Sequence, residues 1–259
     1  MLSTRNARLA SARRLTSRKD RRETGRFLAE GPQAVREALR AGVVLELFAT
    51  ADALARDVDL LSDADVDEIS PKDAAALSET VSPQGLIAVC RRVDTAASEL
   101  FGRAPRLVAA LVEPNDPGNL GTIIRTADAA GADAVVLDGG VDPYNGKAVR
   151  ASAGSLFHLP VVDCPAADLL TAAAAAGMRA LAATARAQRT LDDLADDATL
   201  SGPTVWLFGN EAHGLPETLL EAVDETVRVP IYGAAESLNL AAAAAVCLYA
   251  SARAQRGAG

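Results

Sequence analysis

Two histidines, one tryptophan, three cysteines and 3% aromatic residues are spread over 259 positions. Cys90, Cys164 and Cys247 stand far apart with no CxxC pair, which argues against a disulfide framework and a zinc site. No metal site is therefore expected, and the thiols read as buried side chains in a reducing, cytoplasmic compartment. The alanine tracts Ala172–Ala176 and Ala241–Ala245 are too short to span a membrane. The opening residues Met-Leu-Ser-Thr-Arg-Asn lack the apolar core of a signal peptide. Catalytic signatures are missing too. There is no GxGxxG, so a dinucleotide oxidoreductase is disfavoured, and no GxSxG elbow for a hydrolase. Gly140–Lys147 fails as a phosphate loop because the glycine spacing is wrong and Ala148 stands where Ser or Thr is needed.

What the chain does have is aliphatic bulk, with 49% apolar residues, enough for one large domain or two modest ones. Its charge is uneven. Residues 1–26 hold nine Lys or Arg against Asp20 and Glu23, a local +7, so the remainder carries −15 and the whole chain −8. An acidic body with a basic N-terminal arm fits local contact with phosphates. After the arm, Gln33–Ala41 and Pro71–Leu77 read as helices, and Val43–Ala49 and Leu86–Val89 as strands. Small and polar residues from Asp94 to Pro105 read as a linker. From Arg106 onward, strand-like runs at Leu107–Val112, Ala134–Leu137, Arg179–Thr184, Val205–Phe208 and Thr226–Val229 alternate with helical patterns. Such alternation predicts an α/β domain with a parallel sheet covered on both faces.

Three of those strands run into similar turns. Pro114-Asn115-Asp116-Pro117-Gly118-Asn119-Leu120-Gly121 opens a helix carrying Arg125, with Asn119 read as its N-cap. Ile123, Ile124 and Ala127 share one face of that helix, so Arg125 points the other way. Phe208-Gly209-Asn210-Glu211 continues to Gly214-Leu215. Val229-Pro230-Ile231 leads to Ser237-Leu238-Asn239 and an alanine-rich helix. Ligands of α/β proteins gather in such loops, at the carboxyl ends of strands.

Together with Lys147–Gly154, these motifs resemble, in order and spacing, the SpoU/TrmH family of SPOUT RNA methyltransferases over roughly residues 105 to 255. The resemblance implies a SPOUT parallel sheet with a deep trefoil knot over 106–259. It also implies an L30e-like RNA substrate-binding domain over 27–97, between the basic arm at 1–26 and the linker at 98–105 that charge and composition mark out. It implies S-adenosyl-L-methionine-dependent methylation of a ribose 2′-hydroxyl in RNA by a homodimer, without DNA or membrane partners. A full N-terminal domain favours 23S ribosomal RNA, with transfer RNA or a non-catalytic RNA-binding role as alternatives. Carried onto this chain, catalysis and substrate placement fall to Arg125, Asn119, Glu211, Ser237 and Asn239. Cofactor binding falls to Thr184, Gly209, Asn210, Val229, Ile231 and Leu238. The same reading gives Glu211 a role in organising loops rather than in accepting a proton, with capping of the following helix as its alternative.

Overall fold

A computed structural model describes residues 6–257. In chain order the first elements are α1 (Ala7–Arg14), α2 (Arg18–Thr24), β1 (Arg26–Glu30), α3 (Pro32–Arg40), β2 (Val44–Ala49), α4 (Ala51–Arg56), α5 (Val58–Leu61), β3 (Asp67–Glu68), α6 (Pro71–Leu77) and β4 (Leu86–Arg91). There follow α7 (Ala97–Gly102), β5 (Leu107–Val112), α8 (Pro117–Ala130), β6 (Ala134–Asp138), α9 (Gly146–Ala151), β7 (Val161–Asp163) and α10 (Ala166–Ala175). The last are β8 (Arg179–Ala183), α11 (Leu191–Asp196), β9 (Thr204–Phe208), α12 (Glu217–Ala222), β10 (Glu225–Val227) and α13 (Leu240–Gly257).

Packing divides the chain into two units, and the division is not contiguous in sequence. One contains the residues up to Val93 together with Asp142–His158, and the other contains Asp94–Val141 and the residues from Leu159 onward. The segment Lys147–Gly154 therefore belongs by its packing to the first unit, although its sequence motif groups it with the second.

In the first unit a four-stranded sheet runs β1-β4-β2-β3. From Asn6 onward the basic arm is packed against this unit. Leu9, Ala12 and Leu15 from its helical part are buried with Phe48, Ile69, Leu77 and Ile87, because three aliphatic side chains at helical spacing have more to gain in a core than in water. Most of its cations are also taken up internally. Arg8 pairs with Glu46 and Asp67, Arg13 with Asp73, and Arg14 with Asp20. Arg21 is buried, its Nε donating to Asp142 Oδ2 at 2.7 Å and its Nη1 to the carbonyls of Leu15 and Thr16. Tyr144 packs against Phe27 with the rings tilted by 47° and their centroids 4.6 Å apart, and its hydroxyl accepts a hydrogen bond from the Val93 N–H.

The second unit is built on six parallel strands in the order β10-β8-β9-β5-β6-β7. β5 and β9 lie inside it with every residue buried, as an unbroken apolar run in a parallel sheet requires. One face packs on Leu100 of α7 and on Leu169 and Ala173 of α10. Residues 98–105, expected as a linker, are thus largely helix α7, anchored by Leu100. On the other side α13 packs against α8, β5 and β9. There the buried Trp206 indole N–H donates to Ser251 Oγ at 2.9 Å. β7 has no counterpart in the sequence pattern because three residues are too few to show a period of two. β10 ends at Val227, two residues earlier than expected, which leaves Val229 in the loop beyond it.

Candidate functional site

All six strands being parallel, their carboxyl ends share one edge, and the loops leaving β8, β9 and β10 meet there around a cavity of about 560 Å³. Its walls include Ala183, Leu215, Val229, Ile231, Leu238 and Ala243, with Thr184, Arg186, Asn210, Glu211, His213, Ser237 and Asn239 supplying polar groups. The Thr184 N–H donates to the Val227 carbonyl at 2.9 Å, tying the end of β8 to the end of β10.

The loop after β9 folds tightly on itself. Asn210 and Gly214 exchange backbone hydrogen bonds of 3.1 and 2.8 Å. A Cβ on Gly209 would lie 2.2 Å from the Gly214 carbonyl carbon and 2.4 Å from the Leu215 nitrogen. Both are backbone atoms that cannot swing aside, so only glycine fits. The Asn210 side chain accepts from the N–H groups of Ala212 and His213 and donates to the Glu113 carbonyl at 2.8 Å. It pins this loop to the end of β5.

Beyond it runs a chain of side-chain bonds. The Glu211 carboxylate accepts from the Asn115 N–H at 3.1 Å, the Asp116 N–H at 3.4 Å and Asn119 Nδ2 at 3.0 Å. Asn239 Nδ2 donates to Asn119 Oδ1 at 3.1 Å, while Asn239 Oδ1 accepts from the N–H groups of Ala241 and Ala242 and so caps α13. Partial burial pushes the Glu211 carboxyl up, but the Asn119 amide and the backbone N–H groups outweigh it, and its pKa falls below the ordinary value. A carboxylate held this way is ionised, acceptor-only and a poor base.

Asn119 is not the N-cap expected of it. Asp116 takes that position, its side chain accepting from the Asn119 N–H at 2.8 Å with Pro117 at N1. That placement leaves the Asn119 side chain free to bridge Glu211 and Asn239. The Asp-Pro step was the available signal, since proline favours N1 and aspartate the N-cap. Glu211 likewise does not cap the helix that follows it, because α12 begins only at Glu217 after Pro216.

The structure brings Asn119, Glu211 and Asn239 into contact, and it places Thr184, Gly209, Asn210, Glu211, Val229, Ile231, Ser237, Leu238 and Asn239 around one cavity. Arg125 stands apart. Ile123, Ile124 and Ala127 are buried as the helical spacing requires, but Arg125 is exposed on α8, lines no part of the cavity and has no side-chain partner among the described residues. Arg186, which no sequence motif singles out, lines the cavity.

Among known proteins, the SpoU rRNA methylase family matches residues 106–249 and an MRM3-like substrate binding domain matches residues 6–88. A Bacillus subtilis protein named 23S rRNA (guanosine(2553)-2′-O)-methyltransferase is 36% identical over 248 residues, covering 95% of this chain and 96% of its own. The chain belongs to the SpoU rRNA methylase family. Two solved SpoU-family or rRNA methyltransferase structures, both with AdoMet, align over nearly the whole chain at 32% identity. AviRb from Streptomyces viridochromogenes gives a TM-score of 0.84, covering 98% of this chain and 100% of that one. The Sinorhizobium meliloti enzyme gives 0.82, covering 98% and 97%. As a SpoU-family chain, it keeps all three motif loops on one sheet edge. Among the described residues no helix is long and apolar enough to cross a membrane.

Proposed function

We propose that this protein transfers the methyl group of S-adenosyl-L-methionine to a ribose 2′-hydroxyl of RNA, with 23S ribosomal RNA as the substrate. The hydrogen-bonded line Asn239–Asn119–Glu211, joining all three motif loops beside a cavity, carries this reading. The cavity fits the cofactor, being of the size usual for small ligands and apolar with a few polar groups. Gly209, Val229 and Leu238 hold the adenosyl part through their main chains, with Thr184, Asn210 and Ile231 completing the pocket. When bound, the cofactor supplies an electrophilic methyl group, which leaves the protein to orient the acceptor and handle a proton.

Asn119, held by Glu211 and Asn239, presents its end of α8 to the ribose. Ser237 and Asn239 supply hydroxyl and amide groups toward the 2′-oxygen. Glu211 fixes the loops, and its depressed pKa speaks against a role as general base. Arg125 acts by charge, since guanidinium does not give up its proton in proteins. It lies outside the cavity of its own chain, and in a homodimer a second copy would bring it to the ribose. Ala242, Val246 and Tyr249 form an apolar stripe along α13, with Val246 42% and Tyr249 52% exposed, and that stripe suits such an interface. The 2′-hydroxyl requirement excludes DNA. Match over nearly the full length to enzymes named for rRNA favours ribosomal over transfer RNA, and three unpaired buried thiols suit work in the cytoplasm.

Nucleoside mass spectrometry of 23S rRNA and tRNA incubated with the protein and labelled cofactor tests the reading. Label in a 2′-O-methylnucleoside of 23S rRNA, lost in Arg125→Ala, is expected. Label in tRNA alone would move the substrate, and a protein that binds no cofactor would end the proposal.

A further inference from the structure

The cavity at the carboxyl ends of β8, β9 and β10 is lined by one arginine. Arg186, just after β8, lines it and is the only Arg or Lys among the described residues that do. Its backbone N–H donates to Thr184 Oγ1 at 3.4 Å, and its guanidinium has no hydrogen bond or ion pair among the described residues. Its sequence neighbour Arg189 and Arg228 on the loop after β10 differ. Arg189 pairs with Asp197 and Glu225, and Arg228 Nε donates to the Ala187 carbonyl. The formal anion of the cavity, Glu211, stands on the opposite loop with its oxygens already accepting three N–H groups.

A ligand of this cavity with an adenosyl body and an amino-acid end brings one anionic group, its carboxylate. The surrounding wall is apolar and the remaining polar side chains are neutral or already bonded. The unpaired guanidinium is therefore the complement that the carboxylate meets, and planar guanidinium matches carboxylate two oxygens at a time.

We infer that Arg186 binds the α-carboxylate of the cofactor's methionine half, so that the site distinguishes intact S-adenosylmethionine and S-adenosylhomocysteine from adenosyl thioethers lacking the amino acid. The inference rests on the cofactor reading of the cavity. Arg186 is thus a specificity residue that anchors the end of the cofactor remote from the adenine.

Isothermal calorimetry on the full chain tests it with two ligands, S-adenosylhomocysteine and 5′-methylthioadenosine, the latter without the amino-acid end. Wild type is expected to bind the first more tightly. Arg186→Met should weaken S-adenosylhomocysteine by about three- to tenfold, the range for a charge-assisted contact at a solvent-accessible position. Its affinity for 5′-methylthioadenosine should stay within about twofold, and Arg186→Lys should recover part of the loss. Equal weakening of both ligands would overturn the inference and make Arg186 a wall of the pocket. Unchanged affinity for both, with weaker RNA binding, would overturn it in favour of a phosphate contact. If wild type binds neither ligand, the cofactor reading itself falls, and the role of Arg186 with it.

Discussion

Asn239 and Asn119 lie 120 positions apart in sequence, yet the amide of one donates to the carbonyl of the other at 3.1 Å. The same Asn239 side chain caps α13 through its oxygen, so one residue both starts a helix and holds the partner of Glu211. Asn239→Asp keeps an oxygen for the cap but loses the donor to Asn119. We expect it to melt near wild type while turnover falls by about 10²-fold, the scale of a misplaced positioning group. Asn239→Ala should lose both. Thermal melts beside methyl-transfer rates separate the effects, and full activity in Asn239→Asp would deny the bridge a catalytic role.

Glu211 should leave an acid-side signature on stability. Its folded pKa is depressed, so its contribution is complete above the pKa of the unfolded chain and disappears as pH falls through the lower folded value. Denaturant midpoints of wild type and Glu211→Gln are therefore expected to differ most near neutral pH and to converge in acid. Activity between pH 6 and 9 should show no inflection that Glu211→Gln removes. Such an inflection would restore the carboxylate as a general base.

Gly209→Ala places a Cβ within 2.5 Å of three backbone atoms of Gly214 and Leu215. The loop must open, at a cost of about 1–3 kcal/mol for overpacking, and the cavity wall moves with it. Loss of S-adenosylhomocysteine binding with secondary structure retained by circular dichroism is the expected result. Normal affinity would mean that the loop yields more readily than its hydrogen bonds imply.

Removing one member of the buried Arg21–Asp142 pair leaves a charge without its partner, which costs about 3–5 kcal/mol. Asp142→Ala should thus unfold the first unit earlier in urea, seen by limited proteolysis around α1 and α2. A variant as resistant as wild type would show that Arg21 finds adequate alternatives in the carbonyls of Leu15 and Thr16.

Arg18 and Arg22 are the exposed cations of the basic segment without an ion pair among the described residues. If the segment meets RNA, they are the pair free to do so. Arg18→Ala/Arg22→Ala should melt like wild type and weaken rRNA binding. Its salt dependence should flatten by roughly 1–2 units in the slope of log K against log salt, at about 0.7–0.9 for each phosphate no longer neutralised. An unchanged slope in filter binding would assign RNA recognition to other residues.

The sequence by itself determined the class. Uninterrupted apolar runs such as Leu107–Val112 are β5 to the residue, and the turns after β5 and β9 lie at strand ends as their Pro, Gly and Asn content required. Local chemistry suffices there, because strand burial and turn dihedrals depend on neighbouring residues. Tertiary structure decided the rest. Charge alone made residues 1–26 read as a basic arm for phosphates, but Leu9, Ala12 and Leu15 found a core and Arg21 found Asp142, a partner 121 positions away. Asn119 looked like a cap until Asp116 took that place and Glu211 and Asn239 claimed its amide. Arg186 carries no motif, and only the meeting of three loops at one sheet edge gives it a cavity to line. Each of these depends on which distant groups the fold brings within hydrogen-bonding reach, and sequence periodicity does not encode that.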